Sequence, residues 1–251
     1  MISAEERATF ERDGVLALRG AADEVSVREL RAALQARLAE SSVPLTPSRL
    51  SGIARAREFA ATWGPRVVGA IDDLLGPSRW EVPKAGSQVL FANPPTPEAR
   101  WDVPHSVWHL DYPAPGAART LPGVQLFLCL DRVAPRGGGT VVITGIHRAV
   151  DAIRLRAGDA WPGRSLDVRR ALRRELPWFR ELGSVRPGED RIARFMRAPS
   201  ETDGESLAVV ELTGEPGDVY LMHPWTLHAP APSCSDRPRL VLTERIRARE
   251  G

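Results

Sequence analysis

The sequence lacks several features that would each indicate a particular class of protein. It has two cysteines, and because Cys129 lies in an apolar run while Cys234 lies in a Pro/Ser turn, no disulfide framework is expected. The N-terminal residues are charged and contain no apolar core, which argues against a secretory signal. No apolar run approaches the roughly 20 residues of a membrane span. We therefore expect a cytoplasmic protein with no membrane partner.

An excess of one charge is also lacking. The 34 basic and 32 acidic residues leave a formal net charge of +2, so no general attraction to nucleic acid is expected. Nearly all the basic residues are arginine, since Lys84 is the only lysine. The 251 residues are 43% hydrophobic and 26% charged, as in an ordinary globular domain. We expect one domain over residues 1–251, and the sequence does not indicate its oligomeric state.

The first 80 residues have helical patterns and are interpreted as a support for the rest of the domain. Ala4–Arg12 is predicted as a short amphipathic helix, and Val15–Leu18 as a strand. Ser26 is predicted to cap a helix over Val27–Glu40. Pro65–Leu75 is predicted as a further helix because proline stands at its start and glycine follows its end.

From residue 88 onward, short β-rich runs bounded by Pro, Gly or Asp replace the helical pattern. The runs are Gln88–Ala92, His105–Leu110, Val124–Leu130, Thr140–Thr144, Leu207–Leu212, Val219–Met222 and Leu240–Ile246. They predict a mainly β fold with flanking helices, with a sandwich or jelly-roll core over residues 85–147 and 206–248. Residues 148–205 interrupt the series and are interpreted as a helical insertion.

The segment Trp108-His109-Leu110-Asp111 contains the first candidate metal ligands. In a strand, residues i and i+2 lie on the same face, so His109 and Asp111 can offer an imidazole and a carboxylate to one metal ion. Two histidines and one carboxylate form the facial triad of non-haem iron(II) oxygenases, so a third ligand is expected elsewhere. On its own, His-x-Asp often occurs by chance.

A second histidine motif lies nearer the C-terminus. A turn and a strand over Gly217–Leu227 are followed directly by His228. Arg239 opens another strand eleven residues after His228, a spacing that can place its guanidinium beside the metal site. The planar fork of arginine binds a carboxylate in two places, which suits a dicarboxylate ligand.

These motifs together resemble the phytanoyl-CoA dioxygenase family of iron(II)- and 2-oxoglutarate-dependent oxygenases. The matching stretches are Phe10-Glu11-Arg12-Asp13-Gly14, Trp108-His109-Leu110-Asp111, Gly138–Arg148, and the Gly217-Asp218 strand with His228 and Arg239. They follow one another in order over nearly the whole chain, and residues 148–202 are covered least. No single motif is specific, but the combination is.

The resemblance implies a double-stranded β-helix core, the jelly roll also found in cupins. It implies iron(II) held by His109, Asp111 and His228, with 2-oxoglutarate and dioxygen as co-substrates. The far carboxylate of 2-oxoglutarate would bind Arg239. The implied activity is oxidation, by default hydroxylation, of a C–H bond in a small organic substrate, with release of succinate and CO2.

Further positions refine what the resemblance implies. Gln88 and Thr140 are matched to polar residues that contact the co-substrate, although strand structure alone explains them nearly as well. Relatives often carry a hydroxyl residue two positions after the distal histidine, where this chain has Pro230, so one contact is absent or replaced. Related halogenases have Ala or Gly at the position of Asp111, so this carboxylate favours hydroxylation, desaturation or ring formation.

Other residues compete for the same roles. His223 is an alternative to His228, but it precedes Pro224 and lacks the spacing to Arg239. Arg237 is interpreted as a turn residue, and Arg239 is preferred to it. His105 is expected to pack or hydrogen-bond near its loop, and His147 to have a structural role in the turn after Thr140–Thr144. For Trp108 and Trp225, core packing is at least as good an interpretation as substrate contact.

Two other function classes stay open: a cupin-like metalloenzyme that does not use 2-oxoglutarate, and a catalytically silent β-helix binding protein. The insertion is a candidate lid. From Arg164 to Arg197 it has ten arginines against five acidic residues, along with Trp161, Trp178 and Phe179. A solvated helical face is the plain interpretation of such a stretch. The alternative is a mobile cover whose arginines meet an anionic substrate.

Overall fold

The computed structural model describes residues 1–40, 48–51, 56–81, 89–93, 98, 100–118, 120–202, 205–235 and 239–249. These ranges contain seven α-helices, ten β-strands and a short π-helical turn at Ala193–Arg197. The helices are α1 (Ala4–Asp13), α2 (Glu24–Glu40), α3 (Ala56–Ala61), α4 (Pro65–Leu75), α5 (Ile146–Ala157), α6 (Ser165–Glu175) and α7 (Pro177–Leu182). The strands are β1 (Val15–Leu18), β2 (Ser48–Ser51), β3 (Val89–Asn93), β4 (Gly123–Cys129), β5 (Thr140–Thr144), β6 (Ser200–Thr202), β7 (Glu205–Glu211), β8 (Val219–Met222), β9 (His228–Pro230) and β10 (Arg239–Arg247).

Local capping sets the limits of the N-terminal helices. Ser3 and Glu6 form a capping box at the start of α1, and Gly14 ends the helix with a φ of +72°. The predicted Ser26 cap is wrong, because α2 begins at Glu24. The reason is that the Asp23 carboxylate accepts a hydrogen bond from the Ser26 N–H at 2.8 Å, as a residue flanking a helix start does.

Two antiparallel sheets form the centre of the described chain. The larger sheet has the order β1-β8-β4-β10-β3-β2, and the smaller sheet has the order β6-β7-β5-β9. Alternation along β10 places Leu240 and Leu242 toward the helices that cover the larger sheet. Val241 instead packs with Val142 of β5 between the sheets. This arrangement agrees with the predicted mainly β fold with flanking helices.

The strand predictions closest to the candidate ligands need correction. The structure has no strand at His105–Leu110, where only an isolated bridge joins His109 to His228. The sequence pattern did not predict β9, because three residues ending in proline are too few to show an alternation. The run predicted to begin at Gln88 is observed from Val89 as β3, and Gln88 itself lies outside the described residues.

The helices α5, α6 and α7 pack on the outer face of the smaller sheet. Trp178, Phe179 and Phe195 are buried in one cluster with Val141 and Ile143 of β5. This layer therefore covers an apolar sheet face that would otherwise meet water. Among the helices in the described ranges, none has the length and apolar character required to cross a membrane.

Candidate metal centre

Three side chains present ligand atoms to one point. His109, Asp111 and His228 each offer one such atom, and these atoms lie within 4.8 Å of one another. Nε2 of His109 is 3.9 Å from Oδ1 of Asp111, and Nε2 of His228 is 3.6 Å from Oδ2. This donor set of two imidazoles and one carboxylate fits non-haem iron(II). Within the described ranges, no other group of His, Cys, Asp or Glu has this geometry.

Backbone carbonyls orient both imidazoles. Nδ1 of His109 lies 2.9 Å from the carbonyl oxygen of Val107, and Nδ1 of His228 lies 3.4 Å from that of Thr226. Because a carbonyl oxygen only accepts, each Nδ1 must carry the proton and donate it. The lone pair of each Nε2 is then available, which is the tautomer that a metal ligand needs.

Two backbone hydrogen bonds join the segments that carry the histidines. The His109 N–H donates to the His228 carbonyl at 3.0 Å, and the His228 N–H donates to the His109 carbonyl at 3.1 Å. Asp111 follows in a bend and not in a strand. The structure therefore brings together the three residues that the sequence singled out, but the same-face rule for strands does not explain how.

The Asp111 carboxylate is held in its charged form. Burial raises its pKa, but His228, Gln125 and His109 oppose this effect, and the net pKa lies well below the ordinary value. Gln125 on β4 donates from Nε2 to Oδ2 of Asp111 at 2.5 Å. Sequence reasoning missed Gln125. The available signal was a polar residue within the otherwise apolar strand β4.

The site is open on the side of His109. The side chain of His109 is 39% exposed, whereas that of His228 is 6% exposed. Val107, whose carbonyl orients His109, is also exposed. His109 is therefore the most accessible of the three ligands from solvent.

Arg239 lies at the start of β10 with its side chain 2% exposed. It is on the same strand face as Val241, which packs between the sheets. Burial lowers the pKa of Arg239 to about 10, although the electrostatic effects of Cys129 and Glu211 oppose the shift. Its Nε and Nη1 have no hydrogen-bond partner in the described part of the chain. Buried N–H groups without acceptors are costly, so this guanidinium fits a site that a ligand carboxylate completes.

Of the other residues considered for co-substrate binding, the structure describes Thr140 but not Gln88 or Arg237. Thr140 is buried at the start of β5 and lies opposite Pro230 of β9, the strand that begins with His228. Pro230 is exposed and offers no hydroxyl group. Gln88 and Arg237 lie outside the described residues, so the roles assigned to them stay predictions.

The competing residues lie away from the three ligands. The ring of His223 packs against His147 and Trp225, at centroid distances of 4.6 Å and 5.3 Å. Its Nδ1 accepts a hydrogen bond from the Trp225 N–H. His105 is exposed, and Trp108 and Trp225 are buried and donate their indole N–H groups to backbone carbonyls. The contacts of Trp108 and Trp225 agree with a packing and hydrogen-bonding role. The exposure of His105 does not fit the packing suggested for it, and His147 lies in α5 rather than in a turn.

Comparison with known proteins finds a matching family model and several solved structures with a similar fold. The family model described as Phytanoyl-CoA dioxygenase (PhyH) matches residues 10–241. No curated protein shows a significant match to the chain. One similar solved structure is HygX from Streptomyces hygroscopicus with nickel and 2-oxoglutarate bound, with a TM-score of 0.61 and 13% identity over 99% of this chain and 88% of that chain.

Two further solved structures are similar over almost the whole chain. EctD from S. alaskensis with 2-oxoglutarate and 5-hydroxyectoine has a TM-score of 0.61 and 20% identity, covering 98% of this chain and 76% of that chain. SnoK, a non-haem α-ketoglutarate-dependent carbocyclase from nogalamycin biosynthesis, has a TM-score of 0.60 and 16% identity, covering 98% and 84%. These likenesses confirm the predicted fold class, a jelly-roll core with flanking helices.

Proposed function

The chain belongs to the phytanoyl-CoA dioxygenase family, and on that premise we propose that it is an iron(II)- and 2-oxoglutarate-dependent oxygenase that hydroxylates a C–H bond of a small organic molecule. Each turnover would release succinate and CO2. One observation carries the proposal: the His109–Asp111–His228 set occurs together with Arg239, a buried guanidinium whose Nε and Nη1 have no partner among the described residues. When bound together, iron(II), 2-oxoglutarate and dioxygen supply the oxidising power that breaks an unactivated C–H bond.

The residues of the chain would hold and orient the reactants. His109, Asp111 and His228 would hold iron(II) and leave room at the metal for small molecules. Gln125 fixes the Asp111 carboxylate through Oδ2. Arg239 would pair with the far carboxylate of 2-oxoglutarate, which supplies acceptors for its Nε and Nη1. Thr140 and Gln88 are proposed as additional co-substrate contacts.

The type of oxidation is the finer part of the proposal. The carboxylate of Asp111 favours hydroxylation over halogenation, because related halogenases leave that position free for chloride. Ring formation is the second candidate, since SnoK has the same fold and is described as a carbocyclase. An anionic group on the primary substrate and a cytoplasmic location remain predictions.

Turnover of 2-oxoglutarate tests the function directly. The purified chain, supplied with iron(II), ascorbate and 2-oxoglutarate in air, should form succinate, and a screen of small molecules should identify compounds that accelerate it. Arg239→Leu should raise the apparent KM for 2-oxoglutarate by about 30- to 900-fold, which is about 2–4 kcal/mol for a lost buried charge pair. Arg237→Leu is the control and should change this KM little.

Each alternative predicts a different result. Full iron binding without succinate formation under any condition would favour the cupin-like enzyme or the silent binding protein. A normal KM in Arg239→Leu would contradict the carboxylate site at that residue. A larger effect of Arg237→Leu than of Arg239→Leu would move the site to Arg237.

A further inference from the structure

The segment that carries His109 and Asp111 has little sheet pairing of its own. Residues 100–118 contain no strand, and a single bridge pairs the segment with His228. Two further backbone hydrogen bonds come from the loop that precedes α6. The Ala114 N–H donates to the Gly163 carbonyl at 2.8 Å, and the Gly116 N–H donates to the Trp161 carbonyl at 3.0 Å. This loop therefore runs antiparallel beside the ligand segment.

Ser165, the first residue of α6, continues this row of contacts toward the metal ligands. Its Oγ accepts a hydrogen bond at 3.1 Å from the N–H of Leu110, the residue between His109 and Asp111. Ser165 does not occupy the N-cap position of the helix, which is that of Arg164, and the Arg164 N–H donates to Asp167. The Ser165 hydroxyl thus acts on the ligand segment and not on its own helix.

The close approach of the loop depends on Gly163. Its φ is +56°, and a Cβ at this position would lie 1.9 Å from the carbonyl oxygen of Ala114. A side chain here would force the loop away from the segment. A second attachment lies ahead of the ligands, where Arg191 donates to the carbonyls of Val103 and Pro104 at 3.1 Å and 3.4 Å.

We propose that Ser165 is a positioning residue of the metal centre, and that the insertion braces the segment carrying His109 and Asp111. This inference rests on the proposed function, because it takes these two residues as metal ligands. Leu110 joins the two ligands, so a shift of its backbone moves both of them at once. Partners that orient metal ligands typically contribute about 10- to 100-fold to metal affinity.

Cobalt(II) binding to the full chain tests the proposal without turnover. Ser165→Ala should weaken cobalt(II) affinity by about tenfold and change the visible absorption of the bound ion. Ser165→Thr keeps the acceptor oxygen and should restore both. Ser184→Ala is the matched control, since the hydroxyl of this exposed insertion serine donates to the Arg180 carbonyl and not to the ligand segment, and it should match the wild type.

Hydrogen exchange adds a readout in the metal-free protein. The Leu110 amide should exchange faster in Ser165→Ala than in the wild type and in Ser184→Ala. Unchanged cobalt affinity, spectrum and Leu110 exchange in Ser165→Ala would overturn the proposal. A loss that Ser165→Thr does not restore would also overturn it.

A second pair of variants serves if Ser165→Ala does not fold. Gly163→Ala should displace the loop and weaken cobalt binding, whereas Gly188→Ala has a similar positive φ and open space around its Cβ, and should not. Equal effects of the two would overturn the brace. If the wild-type chain bound neither cobalt nor iron, that result would contradict both the proposed function and this inference. Normal metal binding by every variant would remove the inference alone.

Discussion

The two halves of the metal centre are supported in different ways. His228 begins β9, which pairs with β5, and Arg239 begins β10 in the middle of the larger sheet. His109 and Asp111 belong to a segment with one bridge. Hydrogen bonds to the helical insertion and to single side chains such as Gln125 hold the rest of it. The sheet half of the centre, His228 and Arg239, is therefore held by strand register. The segment half, His109 and Asp111, is held by hydrogen bonds of particular side chains and by the close approach that a glycine allows.

Buried arginines show the same difference. Arg239 in the sheet half has two N–H groups without a partner in the described ranges. In the insertion, Arg191 donates to four backbone carbonyls, and Arg154 donates to two while its guanidinium stacks on Trp225. A guanidinium saturated by carbonyls stabilises the fold, whereas an unsaturated one is suited to a ligand.

The largest expected effect tests whether both halves are needed for the metal. Asp111→Ala and His228→Ala should each abolish stoichiometric iron(II) binding, because each removes a ligand from a set of three. Iron per chain after anaerobic desalting is the measurement. Asp102→Ala is the control on the same segment, since its Oδ1 accepts a hydrogen bond from the adjacent Val103 N–H and the residue is not one of the three ligands, and it should keep full iron. Retention of iron by Asp111→Ala would show that the two imidazoles bind iron without the carboxylate.

Removing an insertion arginine should cost stability rather than ligand affinity. Arg191→Met leaves four carbonyls without their charged donor and should lower the free energy of unfolding by about 3 kcal/mol. For a chain of this size the melting temperature should fall by about 6–12 °C. Arg186→Met, at an exposed position, should have almost no effect. If Arg191→Met melted normally but raised the KM for 2-oxoglutarate, Arg191 would belong with Arg239.

Low pH should lower the stability of the protein through the buried residue His147. Burial lowers the pKa of His147 to about 4, although the carbonyl of Glu11 and the charges of Asp13 and Asp151 oppose the shift. Since the unfolded chain then binds the proton more readily, stability is lost as pH falls from about 6.5 toward 4. The metal-free protein should lose about 2 kcal/mol at pH 5 through this residue.

Urea unfolding at pH 7 and pH 5 measures this loss. His147→Asn should reduce the difference between the two pH values, and His105→Asn, at an exposed position, should leave it unchanged. Burial also lowers the pKa of His223, so part of the difference should remain in His147→Asn. An unaltered difference in His147→Asn would assign the acid sensitivity to other groups.

The smallest expected effect distinguishes a fixed brace from a lid. As a brace, the amides of α6 and α7 should exchange slowly in the free protein and change little when iron, 2-oxoglutarate and substrate are added. The lid predicted from the sequence would instead gain protection over residues 164–197 when substrate binds. Hydrogen-exchange mass spectrometry separates the two outcomes, and a large gain confined to this stretch would contradict the brace.

Strand periodicity explains how much of the structure could be predicted. The runs Thr140–Thr144 and Val219–Met222 match their strands end to end. The alternation of side chains follows from strand geometry. The eleven-residue spacing from His228 to Arg239 was expected to act across adjacent strands, but β9 and β10 lie in different sheets. The support of the segment half had no comparable signal. Ser165 and Leu110 are 55 residues apart in a loop contact, and no repeating pattern indicates such a pair.

The sequence identified the candidate metal ligands, but it did not predict the structure that surrounds them. His109 and Asp111 were found from their chemistry, yet the strand expected to carry them is absent. Gln125 was overlooked because a polar residue in an apolar strand has no defined partner until neighbouring segments are placed. The arginines of the insertion were counted correctly, but only the structure shows that Arg154 and Arg191 are engaged by carbonyls.

The bridge between His109 and His228 also has a consequence for the biosynthesis of the protein. Bringing together positions far apart in the chain costs loop-closure entropy, so we expect this contact to form late in folding. A nascent chain that ends before β9 contains the His-x-Asp pair but not His228. We therefore expect the complete set of three ligands, and tight metal binding with it, only after β9 has been synthesised.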